Sequence, residues 1–242
     1  MSGGKQDSTE IDRQKRAAGE AAAALVENDM IVGLGTGSTA AFALEALGRR
    51  RQQGLRFAGI PTSERTAAMA TALEIPLTSF AAHSRLDMTI DGADEVEQGT
   101  LHLIKGHGGA LLREKIVAAA SERLVIIADG SKLVDRLGSR FAVPVEIAGF
   151  GIEPTQAALE RLGAKVALRV DKAGRPFVSD GGNRILDCNF GPIADPAELE
   201  RRIGAIVGVF ESGLFVGRAS LVLLAGAGGV RRLEPIGRTA GA

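Results

Sequence analysis

Tryptophan and tyrosine are absent from the 242 residues, and nine phenylalanines make up the whole aromatic complement. Stacking platforms for single-stranded nucleic acid are built from aromatic side chains, so that class of function has little to stand on. A single cysteine, Cys188, excludes an intramolecular disulfide and a metal site made of several thiolates. An excess of charge is missing too. With 29 basic and 29 acidic residues the formal net charge is zero, without the basic footprint that suits nucleic acid or an anionic membrane. An anionic ligand must therefore be held by a local arrangement of charges and backbone dipoles. No apolar run approaches the ~18 residues of a spanning helix. The polar start MSGGKQDSTEIDRQKR lacks the apolar core of a signal peptide, so the expectation is a cytoplasmic protein.

What is present is apolar material, 45% of the residues, enough for a sizeable core in one large domain or one large and one small. Helical spacing of Ile11, Ala18, Ala22 and Leu25 predicts a first helix over roughly 10–27. Met30–Gly33 reads as a buried strand, followed by the turn Gly35-Thr36-Gly37-Ser38 and a helix from about 39 to 50 that Ser38 or Thr39 would cap. Strands at 55–60, 76–79, 86–91 and 124–128 and helices at 63–73 and 110–121 continue the alternation, with a short apolar run at 101–104. Alternating strands and helices predict an α/β fold with a mostly parallel sheet. After residue 139 the order becomes strand–helix–strand–strand–helix: 141–147, 154–162, 164–170 with 176–179 and 184–189, and 196–206. That order fits a small α+β unit of split βαβ, ferredoxin-like type. Strands at 213–216 and 220–224 are expected to return to the first sheet, and 235–242 to trail as a loose tail. The expected domains are 1–138 plus 211–242, Rossmann-like, and 139–210.

Three segments carry chemistry. Gly33-Leu34-Gly35-Thr36-Gly37-Ser38-Thr39 runs from strand to glycine turn to helix, offering backbone N–H groups and hydroxyls to a phosphate; an ordinary capped turn is the competing reading. The dinucleotide fingerprint fails at Ser38, and the Gly-Lys pair of a P-loop is absent. Asp91-Gly92-Ala93-Asp94-Glu95 places three carboxylates in five residues at a strand end, where they are either employed at a ligand crevice or belong to a polar turn. In Lys105-Gly106-His107-Gly108-Gly109 the lysine ends a strand, and Glu114 lies in the following helix among apolar neighbours. A carboxylate desolvated there suits a general base, against the alternative of a solvated residue pairing with Arg113 or Lys115. His107 has no partner at ligand spacing and reads as a loop residue at a pocket edge. Cys188 reads as packing. Lys132, after another strand end, is either a second cation or a surface lysine.

The runs GLGTGSTA (33–40), DGADEV (91–96), KGHGGALLREKI (105–116) and ADGSKLVDRLG (128–138), in this order and spacing, resemble the A-type ribose-5-phosphate isomerases over about residues 10–232. The resemblance implies a Rossmann-like domain with a smaller lid domain, no metal or cofactor, a sugar-phosphate substrate, no nucleic-acid or membrane partner, and a homodimer or homotetramer. It implies interconversion of D-ribose 5-phosphate and D-ribulose 5-phosphate through an enediolate, within the non-oxidative pentose phosphate pathway. Glu114 matches the catalytic base, and Asp91, Asp94 and Lys105 match the groups around the sugar's reacting end. The 91–94 turn, with Gly92 and Ala93, and the 105–108 loop, with Gly106, His107 and Gly108, match substrate contacts. Thr36, Gly37, Ser38 and Thr39 match the loop that includes phosphate contacts; Lys132 matches a binding lysine, and Lys15 a phosphate-side lysine. His107 stands where the family commonly has glycine, and Leu112 where it often has threonine. A sugar-phosphate sensor would carry a DNA-binding segment, for which the expectation leaves no room. The Asp91–Asp94 and Lys105–Glu114 combination argues against an amino-sugar-phosphate deaminase or a coenzyme A transferase on a related scaffold.

Overall fold

The computed structural model describes the backbone of residues 3–236 and the side chains of 9–236. The first half of the chain forms α1 (Gly3–Ala23), β1 (Met30–Leu34), α2 (Ser38–Gln52), β2 (Phe57–Pro61), α3 (Glu64–Ala72), β3 (Leu86–Gly92), β4 (Glu95–Glu97), β5 (Leu103–Ile104), α4 (Leu111–Ala119) and β6 (Ser121–Asp129). A short 3-10 turn (Gly130–Lys132) leads to β7 (Leu133–Val134), β8 (Val143–Ile147), α5 (Ile152–Arg161), β9 (Lys165–Leu168) and β10 (Arg184–Asn189). The chain ends with α6 (Pro196–Gly204), β11 (Val209–Ser212), β12 (Leu214–Phe215), β13 (Leu221–Gly226) and β14 (Gly229–Leu233). The expected tail falls largely on 237–242, outside the described residues.

Two compact units emerge: residues 1–93, 116–133 and 218–242 in the first, and 94–115 and 134–217 in the second. The sequence-based division, 1–138 plus 211–242 and 139–210, runs elsewhere. The difference lies in β4, β5 and β12, which pair with one another, while Ile104 and Leu214 join the core of β8 and β10.

The first unit is a six-stranded sheet in the order β14-β13-β6-β3-β1-β2. All neighbours are parallel except β14, which returns antiparallel from β13 through the two residues Ala227-Gly228. Parallel strands such as β1, β6 and β13 read as near-continuous apolar runs because both faces are covered, whereas the edge strand β14, Gly-Val-Arg-Arg-Leu, is largely exposed. Val32, Leu34 and Phe57 join a core with Ala18, Ala22 and Val26 near α1 and Ala43 and Leu47 of α2. The alternate residues Ile31 and Ile60 pack instead with Val117 of α4 and Ala120. The first helix starts and ends earlier than expected, and Ile11 is 38% exposed rather than on the apolar face. Expected strands at 76–79 and 176–179 shrink to single bridges, Gly59 to Leu77 and Val170 to Pro176. Pro76 and Pro176, at their starts, cannot donate to a ladder.

In the second unit β8, α5, β9, β10, α6 and β11 make a sheet of order β11-β8-β10-β9, every pair antiparallel. This is the split βαβ arrangement, with β11 supplying a fourth strand that the sequence reading lacked. Val145, Ile147, Leu159, Leu186, Cys188 and Ile203 fill its core. The helix α6 starts on Asp195, whose carboxylate accepts from the Glu198 N–H, with Pro196 in its first turn. A second sheet runs β12-β5-β4-β7. The segment expected to return to the first sheet at 213–216 is therefore β12, paired with β5 through Leu214–Ile104 and Phe215–Leu103. Backbone bonds from Lys105 N to Gly213 O and from Gly213 N to Pro144 O hold it there.

Candidate functional site

In the first unit, parallel pairing puts the carboxyl ends of β1, β2, β3 and β6 on one sheet edge, where α/β proteins bind ligands. β1 lies between β2 and β3, so the order reverses at the point where the Gly35 turn leaves the sheet. Asp91, 1% exposed, accepts at Oδ1 from the N–H of Thr36 (3.0 Å) and from its neighbour Gly92 (2.8 Å). A β-carbon on Gly35 would stand 2.3 Å from that oxygen, so this approach requires glycine. The helix α2 is not capped by Ser38 or Thr39. Gly37 is its N-cap, where no side-chain cap bond is made. Uncapped N–H groups at a helix start are what an anion takes. Ser38 Oγ accepts from Lys15 Nζ at 3.1 Å, which brings the first-helix lysine to the turn.

The Thr36 hydroxyl is committed to neighbours. It donates to Ser63 Oγ (2.8 Å) and lies 2.7 Å from Thr62 Oγ1 and 3.1 Å from Thr66 Oγ1. Thr66 in turn donates to Gly35 O, and Thr62 to Leu34 O, so the end of β2 and the start of α3 fix the turn after β1. From the sequence, Ser63 and Thr66 mark only the Ser-x-x-Thr start of a helix, which the structure bears out with Ser63 Oγ accepting from Thr66 N (3.1 Å); Thr62 is the residue that the sequence does not signal. Lys132, half-buried, closes the 3-10 turn after β6, whose cap Asp129 accepts from Ser131 N (3.0 Å).

In the second unit Lys105 directly follows β5, and Glu114 sits in the first turns of α4. Their Nζ and Oε2 atoms are 3.4 Å apart, with side chains 3% and 4% exposed. The alternative pairings of Glu114 are taken up elsewhere: Lys115 Nζ holds Glu200 and Glu211 at 2.8 Å each, and Arg113 stands 3.7 Å from Asp180. The ammoniums of Lys105 and Lys115 both lie over the ring of Phe215, at 5.5 and 4.9 Å from its centre. A desolvated carboxylate beside a buried ammonium can take up a carbon-bound proton while the cation answers the charge that develops.

The other two acidic residues of the 91–95 run are employed, and differently. Asp94 accepts the His107 N–H at Oδ2 (3.1 Å), which ties the glycine loop to the end of β3's turn. Glu95, fully buried, accepts three backbone N–H groups, from Gly138 (2.6 Å), Arg140 (2.6 Å) and Phe141 (2.9 Å). The exposed His107 turns its ring edge-on to Phe141 and its Nε2 to Ala142 O (3.3 Å). Cys188 is wholly buried, and burial, with Asp187 adding to it, pushes its thiol up to about 12. It is no nucleophile at neutral pH. Among the described residues no cluster of His, Cys, Asp and Glu could hold a metal ion, and no helix is long and apolar enough to cross a membrane.

The structure thus gathers the sequence candidates into two groups: Lys15, Thr36–Thr39, Asp91–Ala93 and Lys132 in the first unit, Asp94, Lys105–Gly108 and Glu114 in the second. The family model described as ribose 5-phosphate isomerase A (phosphoriboisomerase A) matches residues 58–229. The ribose-5-phosphate isomerase A of Gloeobacter violaceus is 61% identical over 226 residues, covering 93% of this chain and 98% of the relative. The solved ribose 5-phosphate isomerase A of Methanocaldococcus jannaschii is 40% identical with a TM-score of 0.88, over 92% of this chain and 98% of that one. A D-ribose-5-phosphate isomerase solved in complex with phospho-erythronic acid is 35% identical with a TM-score of 0.90, over 93% of this chain and 99% of its own.

Proposed function

Because the chain belongs to the ribose 5-phosphate isomerase A family and so interconverts D-ribose 5-phosphate and D-ribulose 5-phosphate, we propose that Glu114 is the base of that reaction and Lys105 its electrostatic partner. The observation that carries this assignment is the buried Lys105–Glu114 pair, in which both side chains are more than nine-tenths removed from water. An ion pair so placed is expensive to desolvate and is weak evidence of a stabilising role.

The open-chain aldose carries its aldehyde at C1 and a hydroxyl and a hydrogen at C2. Glu114 takes the C2 proton, the electron pair of that C–H bond forms the C1–C2 double bond, and negative charge moves onto the C1 oxygen beside Lys105. The carboxylic acid of Glu114 then returns the proton to C1. One proton passes from the C2 oxygen to the C1 oxygen, which leaves the ketone at C2. Asp91 and Asp94 serve ring opening and that oxygen-to-oxygen transfer. The turn Thr36–Thr39 with Lys15 holds the phosphate through N–H groups, hydroxyl and ammonium. Lys132, the backbone at Gly92 and Ala93, and the loop Gly106-His107-Gly108 complete the contacts to substrate. The reaction needs no metal or cofactor in this scheme. A cytoplasmic homodimer or homotetramer in the pentose phosphate pathway is the setting we propose.

The test is ketose formation from ribose 5-phosphate with chelator present, for the native protein and for Glu114→Gln. Loss of a general base is worth about two to four orders of magnitude in kcat. Native turnover that survives the chelator and vanishes in the variant bears the scheme out; near-normal turnover of a folded Glu114→Gln protein removes Glu114 from it.

A further inference from the structure

We propose that Arg169 is a positioning residue of the isomerase, gripping the loop between Lys105 and α4 from behind. The inference rests on the roles given above to Lys105 and Glu114. Arg169 follows β9, and Asp187 lies on the neighbouring strand β10, in register with Ala167. The guanidinium meets Asp187 side-on: Nε donates to Oδ2 at 3.0 Å and Nη2 donates to Oδ1. Its remaining nitrogen turns to the loop, where Nη1 donates to Gly106 O (2.8 Å) and His107 O (3.2 Å). Both hydrogens of Nη1 are thus spent on two successive carbonyls while the other edge of the same plane is held by a carboxylate. The arginine itself is fixed by its backbone, N to Ile185 O and O from Phe177 N, both 2.9 Å, and its side chain is only 11% exposed.

The loop needs such a grip. Gly106 has a φ of 104°, and a β-carbon there would come within 2.7 Å of the Leu111 β-carbon, so glycine is obligatory. Glycine also has the most conformational freedom to lose on ordering. Asp94 holds the same loop at the His107 N–H, and Gly109 N donates to Gly106 O (3.0 Å). Carbonyls drawn one way by Arg169 and an N–H drawn by Asp94 leave the peptide planes at 106–107 one orientation. Lys105 stands immediately before these planes and Glu114 seven residues past His107, in the first turn of α4, so their 3.4 Å separation is set through this loop. Lysine cannot replace the fork: a single ammonium cannot hold a carboxylate side-on and two carbonyls in one plane.

The experiment compares Arg169→Lys and Asp187→Asn with Arg175→Lys, whose exposed pair with Asp171 lies on the adjoining turn and touches none of the loop. Turnover of ribose 5-phosphate is measured in water, and deuterium at C1 of the ketose is measured after reaction in D2O. A catalytic group misplaced by about 1 Å loses on the order of 100-fold, so Arg169→Lys should lower kcat by about 10- to 100-fold with KM within about threefold. Deuterium at C1 should rise, because a displaced Glu114 returns its proton more slowly than it exchanges with solvent. Asp187→Asn should move both readouts the same way and less, and Arg175→Lys neither. A folded Arg169→Lys protein with native kcat and native deuterium content overturns the proposal, as does a fall in activity that only tracks the folded fraction. If Glu114→Gln turns over normally, the base assignment fails instead. If Glu114→Gln is dead and Arg169→Lys is native, only the role of Arg169 fails.

Discussion

Replacing Lys105 by Met removes an ammonium 3.4 Å from the Glu114 carboxylate at a place where both side chains are almost fully out of water. At an effective dielectric of about 20 the attraction between two such charges is about 5 kcal/mol. The cost of burying them cancels much of that in the native protein, but in the variant the carboxylate stays buried without its cation. Breaking a buried pair from one side costs roughly 3–5 kcal/mol, which is the loss expected for Lys105→Met. Glu114→Gln leaves the ammonium in the same predicament. In the double variant neither charge remains, so its loss should fall short of the two single losses together by about 2–4 kcal/mol. Urea unfolding followed by circular dichroism gives all four corners of the cycle. The coupling should persist at 0.5 M salt, because a pair this buried is little screened. Turnover should be non-additive in the same sense, with the double variant no slower than Glu114→Gln alone. Stability losses that add to within about 0.5 kcal/mol would refute the reasoning, since residues that do not interact behave that way.

Ser38→Ala should raise KM for ribose 5-phosphate several-fold and leave kcat within about twofold, because phosphate contacts act alike on ground and transition states; steady-state kinetics over substrate concentration decide it. Glu95→Gln should cost about 2–4 kcal/mol in urea unfolding, since an amide NH2 would face one of the three backbone N–H groups that the carboxylate now accepts. Cys188 should be silent to a thiolate-selective disulfide reagent at pH 8 and titrate as one thiol per chain on unfolding, its native pKa lying near 12. Because that pKa is raised above the ordinary thiol value of 9.0, the unfolded chain gives up its proton first. This contribution to stability is intact below about pH 9 and lost as pH climbs toward 12, so Cys188→Ala should flatten alkaline unfolding in that window.

The parallel sheet was legible because its strands are buried on both faces and appear as unbroken apolar runs such as Leu124–Ala128, separated by helical periodicity. The short strands were not. β4 reads Glu-Val-Glu and β7 is two residues long, so neither has a period to detect. β14 was announced by the glycines of 226–229, a hairpin signal that the reading passed over. The candidate residues were legible for a different reason: glycine turns and charged residues at strand ends are local patterns, and local order brings Lys105 within nine residues of Glu114.

From sequence alone came the absence of disulfide and thiolate chemistry, the α/β class, the split βαβ unit, the family, and the list of groups able to bind phosphate and move a proton. The first three are properties of composition or of spacing along the chain; the family, and the roles it lends to those groups, came from the resemblance of four motif runs in order. Tertiary structure alone decided what each group touches. Glu95, a fourth carboxylate candidate by position, is spent on backbone 43–46 residues away, and Thr36 gives its hydroxyl to residues 26–30 positions on. Arg169 reaches a loop more than 60 residues before it. A hydrogen bond or ion pair across such separations depends on where two elements pack, and no local periodicity encodes that meeting.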